Sequence, residues 1–525
     1  MKHYYILIAA LCFGMTVTAQ NPSKSLTVSA GTSVYVSLDT PISASEITLK
    51  STSDSFSTLF MNEALGAATT VHYDRYVNLV GQSGVNGGND LVALPVKKDG
   101  ETYANFLNHS IDGILTNADV LPQHPTISTL YAFGPYNNTA RGYTNYNAAT
   151  HGSIMLKPGV GYRAAGRISG QSIRFSGTVS MDIETVEITS ARNNRWNSVG
   201  NPYPTYLDAQ AFLDENMSKL DPNAAAIYGY NSGTRPGDGT MGNFTIINRL
   251  TNSDQNIAPG QGFLVSNDPL TPKNQIVFTP DMRIFSGGDD FILGKNAHQH
   301  QKLRIKASHA TESFATEIYF NDHSSVGLDP GYDAALFDGT GGKFMLYTHL
   351  VKENKGQLMA IQSLGTLDMH NVVIPLGLKT SQGERVTFSI ESISLPDEIQ
   401  VYLEDKQNKS LTLLNSDSYT FTATDAISGA GRFFLRFESR SLSADINELS
   451  TLQMFANEHT LYINGQLLAD TNVSFYDVQG RLIHTSILKQ GTSKNSIDAA
   501  HLSSGIYVVK LHNKQQDQTK KILLR

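Results

Sequence analysis

NVSFYDVQGRLIHT, residues 472–485, contains two short runs of alternating apolar and polar side chains about a turn at Gln479 and Gly480. A period of two puts successive side chains on opposite faces of a strand, and glycine supplies the positive φ that a tight hairpin needs. The stretch therefore reads as an antiparallel hairpin with one buried face. LYING at 461–465 and GIYVVKLH at 505–512 continue the alternation on either side, so residues 455–525 form a small β-sandwich of their own.

The same pattern extends toward the N-terminus. SVYVSL at 33–38, SEITLK at 45–50 and KLRIKAS at 302–308 read as half-buried strands, with further strands expected at 318–320, 371–376, 385–390, 399–403 and 432–437. The 43 glycines, 23 tyrosines and 23 phenylalanines favour strands joined by tight turns over helices. A chain of 525 residues exceeds a single core. The expected fold class is all-β, with tandem β-sandwich or jelly-roll-like domains and a small C-terminal immunoglobulin-like domain. The expected divisions are a first β-rich domain at 20–180, a second related one at 181–298, a β-sandwich at 299–440, a linker at 441–454 and the terminal domain at 455–525. One helix is predicted near 208–217, where Asp208 can cap the first amides and Phe212 and Leu213 can face a sheet.

The relation between the first two domains rests on recurring strings. NLVG at 78–81, YAF at 131–133 and KPGVGYR at 157–163 are followed in the same order by NSVG at 197–200, IYGY at 227–230 and APGQGFLV at 258–265. In each Pro-Gly-x-Gly-aromatic string the proline fixes φ, the first glycine permits positive φ, and the aromatic starts a strand. Neither string continues into Lys-Ser or Lys-Thr, so neither is a phosphate loop.

The net charge is -7, which offers no basic footprint for nucleic acid. Residues 1–19 read as a signal peptide: Lys2, an apolar run from Tyr5 to Met15, and small side chains at Val17 and Ala19 before a cleavage point. That run is too short to span a bilayer, and no other run is longer, so no transmembrane span is expected. The only cysteine, Cys12, would leave with the leader, which removes disulfides and thiolate chemistry from the mature chain.

Asp329, Asp333 and Asp338 are the best candidate metal ligands, because a loop rich in carboxylate oxygens suits calcium; turn-forming aspartates are the plainer reading. Asp289 with Asp290, and His298 with His300, are weaker pairs that lack a further ligand at convincing spacing. No catalytic residue and no other cofactor is assigned, since nucleophile-elbow, metalloprotease and dinucleotide motifs are absent. Trp196, Tyr203, Tyr131 and Tyr136 are candidate sugar-stacking aromatics, with packing as the simpler role.

The C-terminal block resembles the type A sorting domain of cargo exported by the type IX secretion system of Bacteroidota. Tyr476, Asp477, Gly480 and Arg481 in YDVQGRLIHT, and Ser504, Gly505, Tyr507 and Lys510 in SSGIYVVKL, match the family pattern, as does the basic ending Lys520, Lys521 and Arg525. FANEHTLYI at 455–463 replaces the usual Asn-Pro entry. WNSVGNPYPTYLD at 196–208 and LDPGYDAALFDG at 328–339 resemble units of surface proteins from such bacteria. The resemblance implies recognition of residues 455–525 by the export machinery and a secreted or outer-surface location. The expected function is a non-enzymatic adhesive, structural or ligand-capturing protein with a glycan or surface protein as ligand. A secreted polysaccharide-active enzyme or carbohydrate-binding component is the alternative.

Overall fold

Parallel pairing opens the chain. The computed structural model describes residues 24–524 apart from 38–41, 63–64, 66–68, 79–88, 111–126, 167–171, 192–193, 231–243, 251–255, 289–299, 311, 338–342, 440–452, 465–466, 468, 492–493 and 514–516. The signal-peptide segment, most of the glycine-rich stretch at 81–90, most of the expected linker, and Asp289, Asp290, His298 and Asp338 thus lie outside the described residues. The chain divides into two units, Met1–Ser439 and Arg440–Arg525.

The first unit begins with β1 (Ser25–Val28), β2 (Ser33–Val36), β3 (Glu46–Lys50), β4 (Thr58–Met61) and β5 (Thr70–Tyr76). Ser25 pairs with Glu46 and Glu46 with Thr70, while Ser33 pairs with Thr58, all in parallel. Successive strands in sequence turn a corner instead of reversing, with Gly31 at φ 77° in the first corner. Each strand thereby stacks on the one two before it. This departs from the antiparallel neighbours that a sandwich or jelly roll implies: alternation fixes the buried face, here Val28, Ile47, Leu49, Val71 and Tyr73, but not the partner.

Two units that share one four-stranded sheet order follow, the second with an added three-stranded sheet. The first comprises β6 (Asp90–Val92), α1 (Tyr103–Ser110), β7 (Phe133–Asn137), β8 (Gly142–Tyr143), β9 (Tyr162–Ala164) and β10 (Ser172–Gly177). The second comprises β11 (Glu184–Thr189), β12 (Trp196–Gly200), β13 (Tyr206–Asp208), α2 (Ala209–Asn216), β14 (Ile227–Tyr230), β15 (Phe244–Ile247), β16 (Asn256–Ile257), β17 (Gly262–Ser266), β18 (Lys273–Phe278) and β19 (Arg283–Ile284). Their four-stranded sheets run β6-β9-β7-β8 and β12-β17-β14-β15, and in both the preceding strand pairs with the last, β5 with β10 and β11 with β18. The added sheet of the second runs β16-β13-β19. Helix α2 starts where the sequence predicts: the Asp208 carboxylate accepts from Gln210 N at 2.8 Å and Ala211 N at 3.1 Å, and Phe212 and Leu213 are buried. Helix α1 occupies the corresponding place in the first unit and was not predicted.

The remaining strands of this unit are β20 (Gln301–His309), β21 (Glu312–Asn321), β22 (Ala334–Ala335), β23 (Met345–Thr348), β24 (Met359–Gly365), β25 (Asn371–Thr380), β26 (Arg385–Ser394), β27 (Ile399–Asp405), β28 (Ser410–Leu413), β29 (Tyr419–Thr422) and β30 (Ile427–Ser439). They form one sheet in the order β28-β27-β30-β25-β23-β24-β21-β20-β26-β29, with β22 attached to β24. Its two end strands are consecutive in the chain, which curls the sheet into a near-barrel around Leu303, Ile318, Phe320, Ile374, Val401 and Phe433.

The second unit holds β31 (Gln453–Asn457), β32 (Thr460–Asn464), β33 (Thr471–Tyr476), β34 (Leu482–Leu488), β35 (Lys494–Asp498), β36 (Gly505–His512) and β37 (Asp517–Leu524). A three-stranded sheet, β31-β32-β35, and a four-stranded sheet, β34-β33-β36-β37, share a core of Leu461, Ile463, Val473, Phe475, Val509 and Leu511. The architecture is mostly β-strand, with several small antiparallel modules and the near-barrel.

Candidate functional site

The loop 328–337 enters β22 and brings two of the three predicted aspartates together. Asp333 is fully buried: one carboxylate oxygen accepts from Ser363 N at 2.7 Å and the other from Asp329 N at 2.7 Å. Asp329 in turn accepts from Ser325 N at 2.6 Å. Burial pushes the Asp333 carboxyl up to about 7, against the two amides that favour its charged form. Both side chains tie main-chain segments, and among the described residues no group of three His, Cys, Asp or Glu is placed to hold a metal. His300, the described member of the predicted histidine pair, lies near the Tyr319 ring at 6.3 Å.

The same loop builds a seam with the second repeat. Asn248 Nδ2 donates to Tyr332 O at 2.6 Å, Arg249 N to Gly331 O at 2.8 Å, and the Tyr228 hydroxyl to Ala335 O at 2.7 Å. Trp196 stands edge-on to Tyr228 at 4.6 Å and to Phe337 at 4.9 Å. Trp196, Tyr203 and Tyr131 are buried, and the half-buried Tyr136 accepts from Asn194 Nδ2 at 2.9 Å. These four aromatics therefore act as packing residues rather than as an exposed sugar platform.

The Pro-Gly-x-Gly turns bind the two repeats reciprocally. Ala93 N donates to Gly260 O at 2.8 Å and Gly200 N to Gly159 O at 2.8 Å; Val92 bridges to Gln261, and Val199 to Val160. Gly159 and Gly260 have φ of 74° and 62°. A Cβ on Gly161 would lie 2.2 Å from Ser198 Oγ, and one on Gly262 would lie 2.9 Å from Val92 N. This symmetry corrects the alignment of the strings, since the counterpart of NSVG is Asp90–Ala93 and not NLVG. Gly200 then matches Ala93, and Pro202 matches Pro95. Buried Asn201 fixes the second copy's loop, donating to Thr205 O at 2.7 Å and accepting from Tyr203 N at 3.0 Å.

Sequence reading missed two clusters because their members come from distant strands. Tyr35, Phe60 and Phe285 gather on the outer face of β2 and β4, with Phe60 and Phe285 stacked at 4.3 Å and the Arg283 guanidinium 4.9 Å from the Phe60 ring. The stacked faces cover each other and clasp the chain after β19 onto the first strands, where Ser33 Oγ and Thr58 Oγ1 donate to Phe285 O at 3.0 and 3.2 Å. In the near-barrel, buried Asp405 accepts from Arg432 at 2.7 Å and from the Tyr419 hydroxyl at 2.8 Å. Burial alone would raise the Asp405 carboxyl; these hydrogen bonds outweigh it and hold the group below the usual carboxylate range. A shallow groove of 330 Å³ beside β18 is lined by Glu187, Lys219, Lys273, Asn274, Gln275 and Val277. Its charged side chains already pair, Lys273 with Glu187 at 3.3 Å and Lys219 with Glu215 at 3.5 Å.

In the second unit the motif residues shape the hairpin. Asp477 accepts from Gln479 N and Arg481 N at 2.9 Å each and from Arg481 Nε at 2.7 Å, while Gly480 takes φ 79°. The Tyr507 hydroxyl donates to Ser503 O at 2.9 Å and pins the entry to β36.

Comparison with known proteins identifies two regions. The family model described as a domain of unknown function, DUF8693, matches residues 117–437, and that of the secretion system C-terminal sorting domain matches residues 457–525. No curated protein matches the chain. Among solved structures, a two-domain fibronectin type III segment of chicken tenascin is 8% identical, covering 30% of this chain and 97% of its own, at a TM-score of 0.12. The BSP domain of a biofilm-associated protein is 9% identical, covering 83% and 90%, at a TM-score of 0.14. Neither score supports an argument about fold or role. The sorting domain makes the chain a type IX secretion cargo, and its location secreted or cell-surface.

Proposed function

The chain belongs to the family of the domain of unknown function DUF8693, and we infer that this exported β-protein works outside the cell as a non-enzymatic adhesive, structural or ligand-capturing protein. One observation carries the reading: Asp333, Trp196 and Tyr228, the groups best suited to chemistry or stacking, meet in one internal seam, each held by main chain or by neighbouring rings. Such a seam makes a braced body that presents strand faces to a partner. A hydrolase instead needs two carboxylates converging on an open cleft. The finer architecture belongs to the same proposal: modules at 20–180, 181–298 and 299–440 as β-sandwich or jelly-roll-like domains, the first of them opened by the parallel strands β1–β5, and an immunoglobulin-like sorting sandwich. The partner is a glycan or a surface protein.

The test is saturable retention of the secreted chain on a panel of immobilised polysaccharides and matrix proteins. Retention on one chemical class is the expected result. Uniform, salt-sensitive adsorption across the whole panel would overturn the reading.

A further inference from the structure

The sorting domain's four-stranded sheet turns one face to its core and leaves the other outward. Cross-strand register sets the outward rows: Leu482 beside Tyr476, Val508 and Lys521, and next to that row Ile506 beside Leu523. Leu482 is 53% exposed, Ile506 42% and Leu523 44%, and at the hairpin tip Val478 is 75% exposed. Large apolar side chains gathered at one end of a soluble sheet mark a binding surface. Farther along the same face the rows carry Ser474, Thr485, Lys510 and Thr519, so the apolar end is bordered by the cations Lys510 and Lys521.

Asp477, Gly480 and Tyr507 account for where this end sits, while the motif residues Tyr476, Lys510 and Lys521 stand in its outward rows. Asp477 and Gly480 close the hairpin that carries Val478, and Tyr507 anchors the start of β36 that carries Ile506. Their bonds are internal, so recognition falls to the side chains they display. We propose that the export machinery docks on this apolar end, through Val478, Leu482, Ile506 and Leu523, with a complementary apolar strip edged by carboxylates facing Lys510 and Lys521. The occupant follows from the domain itself: residues 457–525 are the sorting signal, and among the described residues this end gathers four of its exposed large apolar side chains.

The experiment expresses the full chain in a Bacteroidota host with an active type IX system and measures its distribution between periplasm and exterior. The double variant Ile506→Asp with Leu523→Asp is expected to lower the external fraction about tenfold and to accumulate in the periplasm. Ile487→Asp, at the opposite end of the same face and 64% exposed, should leave export unchanged. Val478→Asp, at a turn tip held by Asp477, repeats the test should the double variant melt early. Wild-type export of the melting-competent apolar-end variants would overturn the proposal, as would equal loss with Ile487→Asp. So would a chain that elutes as a dimer and becomes monomeric in these variants with export intact, because the face would then serve self-association.

Discussion

Asp333 sits in the seam of the body with two main-chain amides as partners, and its carboxyl is raised to about 7 chiefly by burial. The folded chain therefore holds this proton more tightly than the unfolded chain, whose carboxyl releases it near the ordinary 3.8. The contribution of this group to stability is full below pH 4 and falls as pH rises from about 4 to about 7. Melting temperatures of the wild type and Asp333→Asn, compared from pH 5 to pH 8, should show the wild type losing ground toward neutral pH; parallel curves would contradict the assignment. Asp333→Ala orphans both amides and should cost about 2–4 kcal/mol in denaturant unfolding. The turn chemistry of Asp329 and Asp333 was legible in the sequence because Asp-Pro-Gly is a local signal. The buried state of Asp333 was not, because it depends on β24 thirty residues away supplying Ser363 N.

At the level of strands, the reciprocal Pro-Gly-x-Gly turns demand glycine on steric grounds. Gly161→Ala should destabilise the body by roughly 2–4 kcal/mol, because the new methyl group meets the strand of the other repeat. Gly142→Ala, with open space around it, should change stability by no more than about 0.5 kcal/mol. Thermal unfolding of the two variants side by side checks the contrast. Arg432→Met leaves the Asp405 carboxylate buried without its cation and should cost about 3–5 kcal/mol; a loss under 1 kcal/mol would mean that Tyr419 and the backbone amides suffice. The strand positions at β2, β3, β20 and β36 follow from alternation, and the helix α2 from its cap and apolar pair. Alternation carries no information about partners, which is why the parallel stacking of β1, β3 and β5 and the Ala93–Gly200 correspondence emerged only from pairing. Helix α1 escaped because YANFLNHS has a mixed composition, although Thr102 caps it by accepting from Asn105 N at 3.2 Å.

For the whole molecule, the sorting domain was the most legible part, since its hairpin, glycine turn and tyrosine anchor all lie within short stretches of sequence. The body's role was the least legible, because Asp405 with Arg432, and Tyr35 with Phe285, are assembled across long stretches of chain. The central claim is that the delivered body captures a ligand without transforming it. Prolonged incubation of the purified secreted chain with the polymer or protein that retains it, followed by measurement of newly released reducing ends or peptide termini, tests this most directly. The account predicts release at the level of buffer alone while the chain stays bound; release that grows linearly with time and with protein concentration would contradict it.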